Sequence, residues 1–321
     1  CICLLLIASV VGLMAAEAEN LKLWYSAPAR NWWEALPVGN SHIGGMVFGG
    51  VAHEEIQLNE ETFWAGGPYS NNREGASAYL NEVRRLIFEG KNLEARSLLD
   101  AKFMTSQDGM RYLPLGSLRM DFDCEGEVDS YSRDLNLEDA TASVRFRCGG
   151  VEYTRRVFTS FADNVMVIEL AAGGGTQNLG VDLKYACPLA SKVKSEGEYL
   201  VMYCNGEEHE GISAALHAVV MMRAKSDGKG ECKDGHLSVK DASSATIFLS
   251  AATNFVNYRD VSGDAYAKAR RAIEGVWAKS DKVLYKEHKE VYSKQFGRVC
   301  LSLPSSEFSK RETDIRINEF N

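Results

Sequence analysis

The sequence predicts a mainly β protein: a large antiparallel β-sandwich with one short helical insertion and a C-terminal helical segment. Three observations carry this. Apolar and polar residues alternate from Leu21 to about Ser250, the period of strands buried on one face. Turn signals recur between the runs, at Gly149-Gly150, Gly173-Gly174-Gly175, Asn205-Gly206 and Asp227-Gly228. Helical spacing is confined to one interior stretch and one C-terminal stretch.

In chain order, Ile2 to Met14 is apolar and Ala16-Glu17-Ala18 is a small-x-small cleavage site. Residues 1–18 therefore read as a signal peptide that lacks its initiator Met and basic start, with export to the periplasm or outside the cell. About 13 apolar residues are too few to span a bilayer, so no membrane anchor is expected. Residues 33–50 combine turn glycines with short apolar strands. A phosphate-cradling loop would need a helix after the glycines. Here Met46-Val47-Phe48 follows, so Gly39 to Gly45, including His42, reads as tight turns between strands.

Ser77 to Leu99 has helical spacing at Leu80, Val83, Ile87, Leu93 and Leu98, and Gly90 should split it into two pieces. Strands follow: Leu118, Met120 and Phe122 on one face, then Val144, Phe146 and Cys148, then Val151, Tyr153 and Val157, then Leu179, Val181, Leu183 and Tyr185, then Leu216, Ala218, Val220 and Met222. After Gly263, Tyr266, Ala269, Ile273 and Val276-Trp277 form a helical stripe. Ser280 is placed to cap a second helix carrying Leu284, Val291, Tyr292 and Phe296, and Gly297 to end it. Val299 to Leu303 reads as a strand stopped by Pro304, and Thr313 as the cap of a further helix. The divisions are residues 1–18 as leader, 19–262 as the β domain, 263–300 as a helical linker and 301–321 as the start of something further.

The chain has 321 residues, 45% hydrophobic and 25% charged, with a formal net charge of −8. An acidic chain without a basic patch argues against nucleic acid. Beyond the leader, which holds Cys1 and Cys3, the six cysteines show no C-x-x-C pair, so neither a metal site nor a cofactor is expected. In a domain this large they read as buried small hydrophobes rather than pairs.

Glu60-Glu61, beside Asn59 and near Trp64, is the most tempting carboxylate pair. Neighbouring strand residues face opposite ways, so these two should not flank one bond, and one of them reads as capping a turn at a surface strand end. Asn59, Glu60 and Trp64 remain the weak candidates for facing a substrate or a neighbouring domain. Asp121 and Asp123 share a strand face but read as a solvated acidic hairpin with Glu125. Trp24, Trp32 and Trp33 read as core fillers. His217 reads as a sheet histidine, Arg155-Arg156 as pointing to opposite faces, and Ser160 and Ser250 lack a His/Asp context for nucleophilic work.

Several segments, in order, resemble glycoside hydrolase family 95, the α-L-fucosidases. They are Trp33-Glu34-Ala35-Leu36-Pro37-Val38-Gly39-Asn40, Asn59-Glu60-Glu61-Thr62-Phe63-Trp64-Ala65-Gly66-Gly67-Pro68, Tyr112-Leu113-Pro114-Leu115-Gly116-Ser117-Leu118, Ala251-Ala252-Thr253-Asn254-Phe255 and Phe296-Gly297-Arg298-Val299. The resemblance implies an N-terminal β-super-sandwich, a helical linker and a catalytic (α/α)₆ barrel as partner domain, of which residues 301–321 would be the start. It also implies inverting hydrolysis of terminal α-L-fucosyl linkages, α-1,2 above all, in fucosylated glycans. No residue here matches the family's catalytic motifs, which belong to the barrel, so this chain is expected to be a supporting fragment without activity. The rival reading is a non-catalytic carbohydrate-binding sandwich.

Overall fold

The computed structural model describes residues 21–105, 109–124, 126–173, 178–301 and 306–320. The expected leader, Gly174-Gly175, Glu125 and Pro304 lie outside the described residues.

Among the described residues sixteen strands form: β1 (Lys22–Tyr25), β2 (Leu36–Gly39), β3 (Ile43–Val47), β4 (His53–Glu60), β5 (Gly116–Phe122), β6 (Val128–Asn136), β7 (Thr141–Cys148), β8 (Val151–Ser160), β9 (Val165–Ala172), β10 (Leu179–Ala186), β11 (Ser191–Glu196), β12 (Tyr199–Asn205), β13 (His217–Ser226), β14 (Lys229–Lys233), β15 (His236–Ala242) and β16 (Ser244–Thr253). They build two antiparallel sheets. The nine-stranded sheet runs β1-β6-β7-β8-β9-β16-β13-β12-β11, and the seven-stranded sheet runs β14-β15-β10-β5-β4-β3-β2. Inward residues of both sheets meet in one core, among them Ile56, Leu58, Leu118, Met120, Val144, Phe146, Ile168, Leu183, Val220 and Leu249. Edge positions are marked chemically. Pro37 sits in β2, where no ladder donor is needed on the open side, and Lys192 and Lys194 line exposed β11.

The helical insertion is α1 (Leu80–Phe88) and α2 (Asn92–Lys102), separated at Gly90, whose φ is +75°. The stripe is corrected in detail: Val83, Leu86 and Ala95 are buried, while Ile87 and Leu93 are exposed. The two short helices pack on each other more than on the sandwich, so the inward stripe is narrower than the apolar spacing suggests.

The C-terminal helices α3 (Ala265–Val276) and α4 (Asp281–Phe296) cover the outer face of the nine-stranded sheet. Val167, Val219, Met221 and Phe248 pack there against Ala269, Ile273, Val276 and Leu284. This corrects β13: Val219 and Met221 are as buried as Val220 and Met222, because a helix covers the face that alternation assigns to solvent. Asp264 caps α3 by accepting the Ala267 N–H at 2.9 Å. Ser280 occupies the cap position of α4 without a side-chain cap bond.

Other expectations need correction. Val299–Leu301 form no strand, and Val299 and Leu301 are exposed; residues 302 and 303 lie outside the described residues. The last helix, α5, spans Thr313–Asn318. Thr313 does not cap it; its hydroxyl accepts the Trp24 N–H at 3.0 Å and ties the helix to β1. Trp32 and Trp33 are not core fillers. They stand at 48% and 84% exposure, edge to face at 5.0 Å. Cys124 and Cys148 form a disulfide joining the loop after β5 to the end of β7, so two of the six cysteines are paired across the sheets.

His288, on α4, is fully buried, and its Nε2–H donates to the Asp139 carbonyl at 2.7 Å. Its ring lies 4.9 Å from that of Phe158. Burial holds its pKa below the ordinary histidine range. The unfolded chain therefore takes up this proton near pH 6.5 while the folded chain resists it. Stability from the neutral ring is present above about pH 6.5 and lost as pH falls through that region, by at most about 1.4 kcal/mol per pH unit. His288→Phe should flatten the fall in melting temperature between about pH 7.5 and pH 5. Equal slopes in variant and parent would refute the assignment.

Candidate functional site

Two adjoining clefts open at one end of the sandwich, where the end of β4 meets the β2–β3 turn, the β8–β9 turn, the end of β16 and the first turns of α3. The larger has a volume of about 570 Å³ and is the more polar of the two: His42, Glu60, Glu61, Asp163, Lys268 and Arg271 face it. The smaller, about 280 Å³, is mostly apolar, with Trp64, Pro68, Tyr69, Leu216 and Tyr258 among its walls. Glu61, Thr62 and Phe255 line both.

Glu60 is the last residue of β4, opposite Ile43. Alternation that buries Ile56 and Leu58 turns Glu60 inward as well, and it is 1% exposed. Its carboxylate accepts the Thr62 N–H at 2.7 Å and the Thr62 hydroxyl at 2.8 Å. It caps the turn as the sequence suggests, but from a buried place rather than a surface strand end. Burial pushes its pKa up, against the pull of the Thr62 bonds and of His42. The His42 Nδ1 lies 3.6 Å from Glu60 and 3.2 Å from Glu61.

His42 is held by the β2–β3 turn. Ser41 adopts φ +63°, and the Asn40 side chain accepts the N–H groups of His42 and Ile43 at 3.1 and 2.8 Å. Asn40 in turn donates to the Ser160 carbonyl at 2.7 Å, which joins this turn to the β8–β9 turn. There Asp163 accepts from the Ser160 hydroxyl at 2.9 Å and pairs with Lys279 at 2.6 Å. On the far wall Thr62 and Thr253 share a short hydroxyl–hydroxyl bond. Lys268 donates to the carbonyls of Thr253 and Phe255 at 3.1 and 2.7 Å.

Trp64 is 41% exposed, and its indole N–H donates to the Glu61 carbonyl at 2.9 Å. Its ring lies 5.0 Å from that of Tyr112, whose hydroxyl donates to the Glu60 carbonyl at 2.7 Å. The indole face is thus fixed in orientation while remaining open on the cleft side, the arrangement that lets an aromatic ring meet an apolar surface.

Of the three sequence candidates, the fold gathers two. Glu60 and Trp64 lie on either side of Thr62, and Asn59 lines neither cleft, because it sits on the opposite strand face from Glu60. Asp163, Lys268 and Arg271 escape a sequence reading. The spacing of Lys268 and Arg271, three apart on one helix, is the signal that could have placed them on one face. Elsewhere, Asp121 pairs with His53 at 2.8 Å and Lys184 at 2.6 Å on the outer face. His217 is exposed at the start of β13. The Ser160 hydroxyl donates to Asp163 and that of Ser250 to the Ala269 carbonyl, at 2.7 Å for the latter, with no histidine on either. Among the described residues no group of three or more His, Cys, Asp or Glu could hold a metal ion, and no helix is long and apolar enough to cross a membrane.

Chemically, the polar cleft offers three carboxyl groups, each engaged by the protein: Glu60 by Thr62, Glu61 by His42 and Asp163 by Ser160 and Lys279. That set can bind hydroxyl groups and brace a neighbour. A paired acid and base for glycoside cleavage needs one carboxyl free to protonate a leaving oxygen and another free to activate water.

Residues 23–258 match the family model described as "Glycosyl hydrolase family 65, N-terminal domain". The chain is 30% identical over 318 residues to "Alpha-L-fucosidase 2" of Arabidopsis thaliana, covering 90% of this chain and 37% of that protein. It is 24% identical to "Probable alpha-fucosidase A" of Aspergillus niger and 23% identical to the protein of the same name in Aspergillus oryzae. In both cases 92% of this chain is covered, with 40% and 43% of the relatives. The chain therefore spans well under half the length of these curated relatives. Among solved structures, "Putative kojibiose phosphorylase from human microbiome" superposes with a TM-score of 0.52 at 9% identity, covering 86% of this chain and 38% of that one, a likeness of fold.

Proposed function

The chain belongs to the family described as glycosyl hydrolase family 65, N-terminal domain, and from that premise we propose that it is the β domain of an exported α-L-fucosidase of the family 95 type. The α-fucosidase names of its relatives and the glycosyl hydrolase domain support the reaction class. In this reading the whole enzyme removes terminal α-L-fucosyl groups, α-1,2-linked ones above all, with inversion. The acid and the water-activating group come from a helical barrel, and this chain supplies a supporting wall.

One observation carries the supporting role: every carboxyl group of the polar cleft is already held by a protein partner. The held groups keep the cleft rigid and polar. Trp64 and Tyr258 give its neighbour an apolar face against which a sugar ring or a barrel loop can pack.

The test is direct. Residues 19–321, incubated with 2′-fucosyllactose, should release no fucose above the buffer blank. Release at enzymatic rates would overturn the supporting role and make Glu60 and Asp163 the residues to substitute first. Binding on a glycan array without hydrolysis would instead favour a carbohydrate-binding sandwich.

A further inference from the structure

Cys187 follows the last residue of β10 in the seven-stranded sheet, and Cys204 lies in β12 of the nine-stranded sheet. Seventeen residues apart in sequence, their sulfurs are 3.4 Å apart across the sandwich. Cys204 is buried and Cys187 is partly exposed. We propose that Cys187 and Cys204 are a modification site, oxidised by exchange with a small-molecule disulfide of the glutathione type to a second disulfide that staples the two sheets beside the Trp64 wall.

The geometry is close to the product. A disulfide has its sulfurs at about 2.0 Å, so closure asks the two side chains to share a movement of about 1.4 Å. The chain already carries one staple of this kind, Cys124–Cys148, which also runs from the seven-stranded to the nine-stranded sheet. Disulfides of that sort persist where small-molecule disulfides are available.

The two sulfurs are also unequal in a useful way. The contact with Cys204 lowers the Cys187 pKa to about 6, while the same contact and burial push Cys204 up. The accessible sulfur is therefore the readier of the two to lose its proton. It attacks one sulfur of the small disulfide, forms a mixed disulfide and expels one small thiolate. Cys204 then attacks the Cys187 sulfur, loses its proton to solvent and expels the second small thiolate. Two protein thiols become one disulfide, and one small disulfide becomes two small thiols.

The staple would act on the site through the backbone. The segment after Cys204 holds the Trp64 loop: the Gly206 N–H donates to the Leu216 carbonyl at 2.9 Å, and the Gly66 N–H donates to the Glu207 carbonyl at 2.7 Å. Leu216 itself lines the apolar cleft. The proposal does not depend on which sugar the enzyme takes, so failure of the fucosidase reading leaves it standing.

The experiment is to treat residues 19–321 with oxidised glutathione, alkylate with iodoacetamide and digest without reduction. A peptide linking Cys187 to Cys204 is expected, with Cys232 and Cys300 alkylated. Cys204→Ser should accumulate a glutathione adduct on Cys187, because the resolving thiol is gone. Full alkylation of Cys187 and Cys204 in the parent would overturn the proposal. So would linkage of either to Cys232, or a Cys204→Ser chain that acquires no adduct.

Discussion

Arg155→Met should destabilise the protein by about 3–5 kcal/mol. Arg155 projects from β8 of one sheet into the core and is 3% exposed. Its guanidinium donates to the carbonyls of Gly50 and Val51 in the loop before β4 and pairs with Glu54 at 3.3 Å. It also covers the Phe122 ring at 3.7 Å. Burial dominates both charges, pushing Glu54 up and Arg155 down to about 10. Desolvation on that scale means that the pair adds little net stability beside a well-packed apolar pair. Removing one partner is a different matter, because Glu54 would remain buried without its counter-charge.

The double variant separates the two. Glu54→Gln keeps an acceptor for the Gly49 N–H, which Glu54 binds at 2.8 Å, and removes the orphaned charge. Glu54→Gln combined with Arg155→Met should therefore recover at least half of the loss in urea unfolding. A single-variant loss below about 1 kcal/mol would show that the pair does not carry the inter-sheet link.

Gly116→Ala should cost about 3–5 kcal/mol, although it adds one methyl group. Gly116 opens β5 with φ +88°, a conformation that L side chains adopt at a cost of about 1–3 kcal/mol. A Cβ there would also collide with the Ala186 carbonyl oxygen and stand 2.7 Å from the Cys187 Cα, both main-chain atoms that cannot rotate aside. Relief requires β5 and β10 to part at the Ser117–Ala186 end of their register. Gly75→Ala is the control. Gly75 has φ +77° but open space where its Cβ would stand, so it should show the backbone strain alone, about 1–2 kcal/mol. Equal losses for the two variants would mean that the collision is absorbed elsewhere.

Much of the fold is legible because alternation reports which residues of a strand share a face. Leu118, Met120 and Phe122, or Leu179, Val181 and Leu183, are inward in the structure as in the pattern. Alternation cannot say what covers the other face. β13 and β16 are buried on both sides because α3 lies over them, a contact outside the strands' own pattern. Nor does pattern alone put arginines inside. That Arg155 and Arg156 oppose each other is a local property of a strand, whereas the burial of Arg155 depends on loop carbonyls and a β4 carboxylate about a hundred residues away.

The site divides in the same way. Glu60 and Trp64 stand out in sequence as a carboxylate and an indole beside turn glycines. His42, Asp163 and Lys268 reach the same cleft from three separate segments, and their spacing along the chain carries no sign of it.

By itself, then, the sequence determined the class of most elements, the inward faces of the strands and their turns, since these follow from period and from backbone preference within a few residues. Only the tertiary structure decided which strands neighbour one another, which charges are buried and which cysteines meet, because those depend on the approach of segments that the chain keeps far apart.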